Sequence, residues 1–255
     1  MNTTKPIFLT AEWQHLVMVN YAVPPAVLQP YLPKGTTLDL YNEVAYMSLV
    51  GFLFAHTKVL GIAWPWHSTF EEVNLRYYIQ YNNGTTTKRG VHFISEIVPK
   101  PIIAYTANLL YNEHYQAMPM RHSIVAHKDA THIAYHWQHQ ANWNSIQAVV
   151  HNTPEPIAPL SHAEYILEHY WGYNESKRNR LIEYGVEHER WQLLPLQSCT
   201  VKCNAAALYG TQLAPYLASE PHSVYVAQGS PVVVRKPSII KVLAVSLDDH
   251  PNRTV

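Results

Sequence analysis

Hydrophobic and polar residues alternate most regularly between residues 70 and 101, FEEVNLRYYIQYNNGTTTKRGVHFISEIVPKP. Two alternating runs flank Asn83 and Gly84, a pair that favours the tight turn of a β-hairpin. Because the side chains of a strand point alternately to opposite faces, the first run separates into a polar face and an apolar face. The polar face carries Glu72, Asn74, Arg76 and Tyr78, and the apolar face carries Val73, Leu75, Tyr77 and Ile79.

The second run of the hairpin places His92, Ile94 and Glu96 on one face. We expect Arg76 to lie opposite His92, and Glu72 opposite Glu96; a slip of one residue would abolish this pairing. The polar row has two interpretations, the solvent-exposed face of an antiparallel sheet or the lining of an internal cavity. A mixed set of carboxylate, amide, guanidinium and phenol groups suits a cavity, but alternation alone leaves both open.

Lys100 follows the hairpin directly, between Pro99 and Pro101, which restrict its backbone. A lysine held beside the end of a hydrophobic strand can lose its hydration, and this lowers the ammonium pKa and leaves a nucleophilic amine. The alternative is an ordinary surface lysine, since most lysines are exposed. Residues 102–115 predict a helix, although their β-branched content leaves a strand open; a helix would direct its positive N-terminal end at Lys100.

The rest of the chain is predicted to consist mainly of strands. Strands are expected over residues 12–22, 38–40, 44–54, 120–126, 132–139, 145–151, 180–193, 200–204 and 223–227, and short helices over 24–32, 162–171 and 213–217. Ser161 and Glu164 form a capping box for the second of these helices, and the tail from Arg235 is expected to fray. The pattern indicates a mainly β (α+β) fold. A strongly curved antiparallel sheet would be closed or nearly closed into a barrel around one small ligand, with a few short helices outside.

The loop at residues 61–67 contains Trp64 and Trp66 on either side of Pro65. It has three interpretations: a lid over a pocket, filling of the core, or a subunit contact. We favour core filling or a subunit contact, because indole rings bury a large apolar area.

Composition narrows the range of partners. The 255 residues contain 18 Lys and Arg and 18 Asp and Glu, with no basic stripe, so nucleic acid is not an expected partner. Charged residues make up 14% of the chain against about 25% in an average domain. A surface of mostly neutral polar groups is compatible with a homo-oligomer. No linker-like segment divides the chain, so we expect one domain over residues 1–255 with its core at about 11–237.

The N-terminal segment has no apolar run of signal-peptide length, and the longest apolar stretch, residues 45–55, is about half of a membrane span. We therefore expect a cytoplasmic protein that does not enter a membrane. Cys199 and Cys203 are predicted to be reduced buried thiols. The 16 histidines show no metal-binding spacing, so neither a metal site nor a cofactor is predicted.

Several of these motifs together resemble a known family. They are Phe70-x-Glu72-x-Asn74-x-Arg76-x-Tyr78, Gly90-Val91-x-Phe93, Trp13, and Val23-Pro24…Leu28…Leu32-Pro33-x-Gly35. They resemble the YqjF-like domain of unknown function, which is related in fold to acetoacetate decarboxylase, and the resemblance spans about residues 13–237. It implies a single acetoacetate decarboxylase-like domain.

The same resemblance bears on the lysine. Acetoacetate decarboxylase uses a Schiff-base lysine in a Pro-Lys-Lys context shortly after a glutamate, and Glu96 followed by Pro99-Lys100 is similar to it. This chain has Pro101 where the enzyme has a second lysine. One means of lowering the pKa of Lys100 is therefore missing, unless a helix N-terminus replaces it.

Two functions from different classes follow. In the one we favour, the protein binds a small organic acid or carbonyl compound without catalysis, and the buried polar network of Glu72, Asn74 and Arg76 either fixes the fold or holds the ligand. The ligand-binding residues are then Arg76, Asn74, Tyr78 and His92. In the alternative, the protein is a Schiff-base decarboxylase or related lyase acting on a small keto acid. Lys100 would form the imine, Arg76 would bind the carboxylate, and Glu72 with Glu96 would transfer protons.

Overall fold

The computed structural model describes residues 5–66, 68–111, 114–176 and 180–240. The strands in these ranges are β1 Ile7–Val23, β2 Thr36–Leu38, β3 Ala45–Val59, β4 Phe70–Asn82, β5 Thr87–Val98, β6 Tyr115–Ala117, β7 Met120–Ala126, β8 Ala130–His139, β9 Asn142–His151, β10 Glu155–Pro156, β11 Trp171–Glu175, β12 Leu181–His188, β13 Gln192–Leu193, β14 Leu196–Lys202, β15 Ser223–Arg235 and β16 Ser238–Ile240. The helices are α1 Pro25–Leu28, α2 Pro101–Tyr111, α3 His162–Leu167, α4 Ala205–Tyr209 and α5 Ala214–Leu217, with a 3₁₀ turn at Gln29–Tyr31.

Seven of these strands pair into a closed ring in the order β15, β1, β3, β4, β5, β11, β12 and back to β15. The pairings in the ring are antiparallel except for the contact between β5 and β11, where Val91 pairs in parallel with Gly172. Shorter strands, among them β2 and β6, extend the ring at its edges. The predicted mainly β fold, with a strongly curved sheet and a few short helices, is confirmed.

A second sheet, in the order β14, β9, β8, β7, packs against the outside of the ring. Its buried side chains, such as Trp137 and Ile146, share one core with Leu75 and Tyr77 of β4. Gly51 on β3 allows this close approach, because an added Cβ there would lie 2.9 Å from the ring of Tyr135. The odd-numbered face of β4 is therefore a conventional packed interface between two sheets.

A separate core fills part of the ring's interior. It includes Leu16 and Met18 of β1, Val50 and Phe52 of β3, and Ile166 of α3. The even-numbered face of β4 points toward this interior. One strand therefore supplies side chains to two different environments.

Backbone irregularities keep side chains directed at the interior. In β1, the pairing with β3 shifts between Gln14 and Val17, and His15 has φ 52°. As a result Trp13 and Leu16, which regular alternation would send to opposite faces, both line the interior. His56, also at φ 52°, accompanies a second shift between the same two strands.

The main differences from the sequence-based elements lie at helices and at the tail. The helix expected over residues 162–171 ends at Leu167, α4 was not expected, and residues 102–115 form α2 to Tyr111. Ser161 caps α3 as predicted, accepting from the Glu164 amide at 3.2 Å, whereas the Glu164 carboxylate accepts from the Leu160 amide. The tail does not fray at Arg235, since β16 follows; its remainder lies outside the described residues.

Cys199 and Cys203 are both free and half-buried. Burial raises the pKa of the Cys199 thiol to about 11 and that of Cys203 to about 12. Separately, none of the helices in the described ranges has the length and apolar character that crossing a membrane requires.

Candidate functional site

A cavity of about 470 Å³ lies within the ring. Its polar wall comes from the row predicted on β4, with Glu72, Asn74 and Arg76, together with Glu96 of β5. These four side chains belong to residues that are at most 7% exposed. The row therefore faces an internal cavity and not bulk solvent. The cause is local: Glu72 pairs with Phe52, and period-2 geometry sends both side chains to the same side of the sheet.

Glu72 is the most strongly perturbed acid of this wall. Its carboxylate accepts from Asn74 Nδ2 at 2.9 Å and from Tyr115 Oη at 3.0 Å. Burial raises the pKa of Glu72 to about 7, while the two hydrogen bonds and the charge of Arg76 act in the opposite direction. Near neutral pH this group can therefore donate or accept a proton.

Arg76 is a buried guanidinium without an ion-pair partner among the described residues. Its Nη2 donates to the Ile166 carbonyl at 3.3 Å and contacts Met18 Sδ at 3.6 Å, and its Nε is buried with no hydrogen-bond partner. Burying a cation is costly unless an anion compensates. The wall thus holds a cation with donor capacity left over.

Asn74 lies between these two groups on the same face. Its amide nitrogen is used by Glu72, but its Oδ1 is buried with no hydrogen-bond partner. A buried acceptor that lacks a donor is rare in folded proteins. Asn74 is therefore suited to accept a hydrogen bond from a bound molecule.

Tyr78 belongs to the same face but does not line the cavity. Its hydroxyl is 2.6 Å from Ser48 Oγ, and its ring centroid is 5.7 Å from the Arg76 guanidinium carbon. The structure thus places Tyr78 next to the cation and behind the wall. It can support the position of Arg76, in contrast to the direct ligand contact that we expected.

The predicted hairpin register is wrong on both sides of Leu75. Near the turn the pairing is displaced by one residue, so that Arg76 lies opposite Phe93 and His92 opposite Tyr77, and a bulge between Leu75 and Arg76 adds a second displacement. His92 consequently points away from the cavity, where its Nδ1 lies 2.8 Å from the Tyr173 carbonyl. Burial lowers the pKa of His92 to about 4, against the effect of that hydrogen bond.

The same bulge accounts for Glu96. Glu96 pairs with Asn74 instead of Glu72, and it still lines the cavity together with Val91 and Phe93. The extra residue changes which positions of β5 face inward partway along the strand. Alternation therefore assigned Glu96 to the correct face but His92 to the wrong one.

Lys100 does not join this group. It lies at the start of α2, where its carbonyl oxygen accepts from the Ile103 amide at 3.1 Å and the Ala104 amide at 3.2 Å. Ile102, Ile103 and Thr106 of that helix line the cavity, but the residue Lys100 does not. The structure brings Glu72, Asn74, Arg76 and Glu96 together and leaves the lysine outside.

Sequence reasoning missed a further polar group of the cavity, His169, which follows α3. Its Nε2 is 3.4 Å from Asp39 Oδ2, and its Nδ1 is buried with no hydrogen-bond partner. Burial lowers the pKa of His169 to about 4, and the hydrogen bond to Asp39 opposes this shift. Asp39 also accepts from Arg89 Nε and Gln80 Nε2, each at 2.6 Å. Within the predicted helix of residues 162–171, nothing distinguished His169 from a packing residue.

The cavity meets solvent at an apolar rim. Three lining residues are largely exposed, Leu60 at 57%, Trp64 at 55% and Ile102 at 59%. Trp66 is 87% exposed, so core filling by the tryptophan loop is wrong; His67 lies outside the described residues. Trp64 instead stands at the entrance.

Metal ions are held by clusters of ligand side chains. Within the described ranges, no three His, Cys, Asp or Glu side chains converge in a way that would hold an ion.

Comparison with known proteins agrees with this architecture. Among solved structures, acetoacetate decarboxylase from Legionella pneumophila superimposes with a TM-score of 0.63 at 12% identity, covering 94% of this chain and 90% of that chain. An acetoacetate decarboxylase-like enzyme from Sphingomonas wittichii gives 0.62 at 10% identity, covering 93% and 95%. The enduracididine biosynthesis enzyme MppR, solved with the condensation product of pyruvate and imidazole 4-carboxaldehyde, gives 0.59 at 11% identity, covering 92% and 90%.

At the level of sequence, the chain is similar to the uncharacterized protein YqjF of Bacillus subtilis. The two are 24% identical over 187 residues, which cover 71% of this chain and 73% of that protein. The model of the DUF2071 family, described as an uncharacterized conserved protein, matches residues 10–231. This chain therefore belongs to the DUF2071 family, and its fold is that of the acetoacetate decarboxylase-like proteins.

Proposed function

We propose that this protein binds a small organic acid inside the ring, with the acid's carboxylate on Arg76. The observation that carries the proposal is the buried guanidinium, which has unused donor capacity and lies in the wall of a 470 Å³ cavity. Arginine presents paired N–H groups that match a carboxylate, and a charge-assisted hydrogen bond is about twice as strong as a neutral one. A bound carboxylate would supply the counter-charge that the cation lacks.

The neighbouring groups suit a second polar function on the same ligand. Asn74 Oδ1 accepts from a hydroxyl or an N–H group, and the protonated form of Glu72 donates to a carbonyl oxygen. Both lie on the face of β4 that carries Arg76. Neighbouring residues on one face of a strand are about 7 Å apart along it. A hydroxy or keto acid matches this order of groups.

Calorimetric titration with a panel of short hydroxy and keto acids tests the proposal. We expect binding by the wild type and a loss of at least tenfold in affinity in Arg76→Met. Arg121→Met is the matched control, because Arg121 is an exposed arginine whose guanidinium stacks on Trp143 away from the cavity. Equal affinity in the wild type and Arg76→Met, or no binding of any acid, would end the proposal.

The second candidate function is keto-acid chemistry through an imine on Lys100. Its support comes from the fold, since the structural neighbours include acetoacetate decarboxylase and an enzyme solved with a pyruvate condensation product. In this reaction the lysine amine adds to the ketone with loss of water, and the protonated imine accepts the electron pair of the C–C bond as carbon dioxide leaves. Protonation of the resulting enamine and hydrolysis of the imine then release the product and the lysine. The position of Lys100 outside the cavity makes this the weaker candidate.

Borohydride reduction in the presence of acetoacetate separates the two candidates. Imine formation would leave a stable adduct on Lys100, located by peptide mass analysis and absent in Lys100→Ala. We expect no adduct, together with unchanged acid binding in Lys100→Ala. A reduced adduct on Lys100 would favour the enzyme over the binding protein.

A further inference from the structure

The shape and lining of the cavity say more about the ligand than the polar wall does. On β4 the lining extends from Phe70 to Arg76. Six residues of strand cover about 20 Å, about twice the diameter of a sphere with the volume of this cavity. The cavity is therefore elongated along β4, with Arg76 at its buried end and Phe70 toward the rim.

Apart from the polar wall, the surface of the cavity is largely apolar. Aromatic side chains form much of it: Phe54 stacks on Phe70 with ring centroids 4.7 Å apart, and Trp13 packs edge-on against Phe52 at 5.2 Å. Toward solvent the lining continues through Val59 and the three exposed apolar residues of the rim. A ligand that fills this space exchanges water for hydrocarbon contacts over most of its length.

Volume points in the same direction. At about 30 Å³ for each water-sized group, 470 Å³ accommodates roughly 15 non-hydrogen atoms, about twice the number in a four-carbon keto acid. A short acid would occupy the polar end and leave the aromatic section without a ligand. An empty or poorly hydrated apolar section favours a ligand that extends into it.

From these observations we propose that the ligand is an amphipathic acid: its carboxylate lies on Arg76, its hydroxyl or keto group lies next to Asn74 and Glu72, and an unbranched or weakly branched apolar tail continues from there to the rim at Trp64 and Ile102. The inference rests on the proposed function, because Arg76 supplies the site for the head group. It adds the tail, and with it the chemical class of the ligand. Leu60, Trp64 and Ile102 are then the entrance that an apolar tail crosses.

The test is a chain-length series measured with the full chain: butanoate, hexanoate, octanoate and decanoate, each below its aggregation concentration. Each added methylene that becomes buried should tighten binding about fourfold, with a plateau once the tail outgrows the cavity. Arg76→Met should weaken every acid by a similar factor. 1-Decanol should bind the wild type more weakly than decanoate does.

A cavity-filling variant locates the tail independently. Val234 lines the cavity, while its neighbour Val233 does not. We expect Val234→Trp to weaken decanoate at least tenfold and butanoate little, and Val233→Trp to leave both unchanged. Should either variant fail to fold, the chain-length series on the wild type decides alone.

The outcomes separate the two proposals. If acids bind through Arg76 but butanoate binds as tightly as decanoate, the tail is wrong and the acid site stands. If decanoate binds equally well to the wild type and Arg76→Met, the carboxylate is not on Arg76, and the acid site and the amphipathic ligand both fail. If none of the acids binds, both proposals fail as well.

Discussion

The two faces of β4 belong to the same strand, but one packs against another sheet and the other lines a cavity. The odd-numbered face, with Val73, Leu75, Tyr77 and Ile79, is fully buried against a second sheet. The even-numbered face, with Glu72, Asn74 and Arg76, is buried to nearly the same extent but faces a cavity with unsatisfied polar atoms. Burial alone therefore does not distinguish structure from function. The two faces differ in whether their buried side chains are fully packed or carry polar atoms that lack hydrogen-bond partners within the protein.

The largest expected effect belongs to the packed face. Leu75→Ala leaves a hole between two sheets and should lower the free energy of unfolding by about 2–5 kcal/mol. Leu16→Ala is the matched control: Leu16 is also buried but lines the cavity, so its loss enlarges an existing space and should cost clearly less. Urea denaturation measures both. Equal costs would mean that the cavity wall is as tightly packed as the interface.

The next effect depends on pH and belongs to Glu72. Its folded-state pKa of about 7 lies above the ordinary value of 4.5, so the folded protein holds the proton more tightly than the unfolded chain does. This contribution to stability is present at low pH and is lost as the pH rises from about 4.5 through about 7.

Glu72→Gln removes the pH-dependent loss of stability, because glutamine does not ionise. Relative to the wild type, the variant should be about equally stable at pH 4.5 and up to about 3 kcal/mol more stable at pH 8. Denaturation curves over this pH range measure the difference. A difference that does not change with pH would show that folding leaves the pKa of Glu72 unshifted.

Arg76→Met should have a smaller effect, and in the stabilising direction. Arg76 is a buried cation with no ion-pair partner within the described ranges, so an apolar side chain in its place relieves a desolvation cost, and we expect a gain of about 1–2 kcal/mol. The measurement belongs at pH 5, where Glu72 is protonated and does not lose a favourable neighbour. A strong loss of stability would mean that Arg76 serves the fold, and that the polar wall resembles the packed face after all.

Lys100→Ala should have the smallest effect, within about 0.5 kcal/mol of the wild type in stability, because Lys100 is only half-buried and lies outside the packed cores. Acid binding should also be unchanged, because Lys100 does not line the cavity. A lysine that reaches the ligand would reveal itself here by a loss of affinity.

Alternation predicted much of the fold and of the wall. It located the hairpin, separated the two faces of β4 and grouped Glu72, Asn74, Arg76 and Glu96 on one face, but it left open whether that face is exposed or lines a cavity. It grouped them because the sheet has one packed side and one interior side, and period 2 reports which residues share a side. The predicted family was likewise confirmed, and so was its relation in fold to acetoacetate decarboxylase.

What alternation could not supply was the bulge. A one-residue offset near the turn directs His92 to the outer side, one extra residue in β5 returns Glu96 to the inner side, and no residue type in that stretch signals either. His169 and Asp39 are 130 residues apart, and only tertiary structure brings them together. Lys100 illustrates a third limit. Its sequence context resembles that of a catalytic lysine, but that context does not determine whether the residue lines the cavity.

A crystal structure of the protein grown with decanoate tests the central claim most directly. We predict carboxylate oxygens about 2.7–2.9 Å from the Arg76 guanidinium nitrogens, with the tail following β4 past Phe70 toward Trp64. A carboxylate at the rim or outside the ring, with Arg76 untouched at saturating ligand, would contradict it.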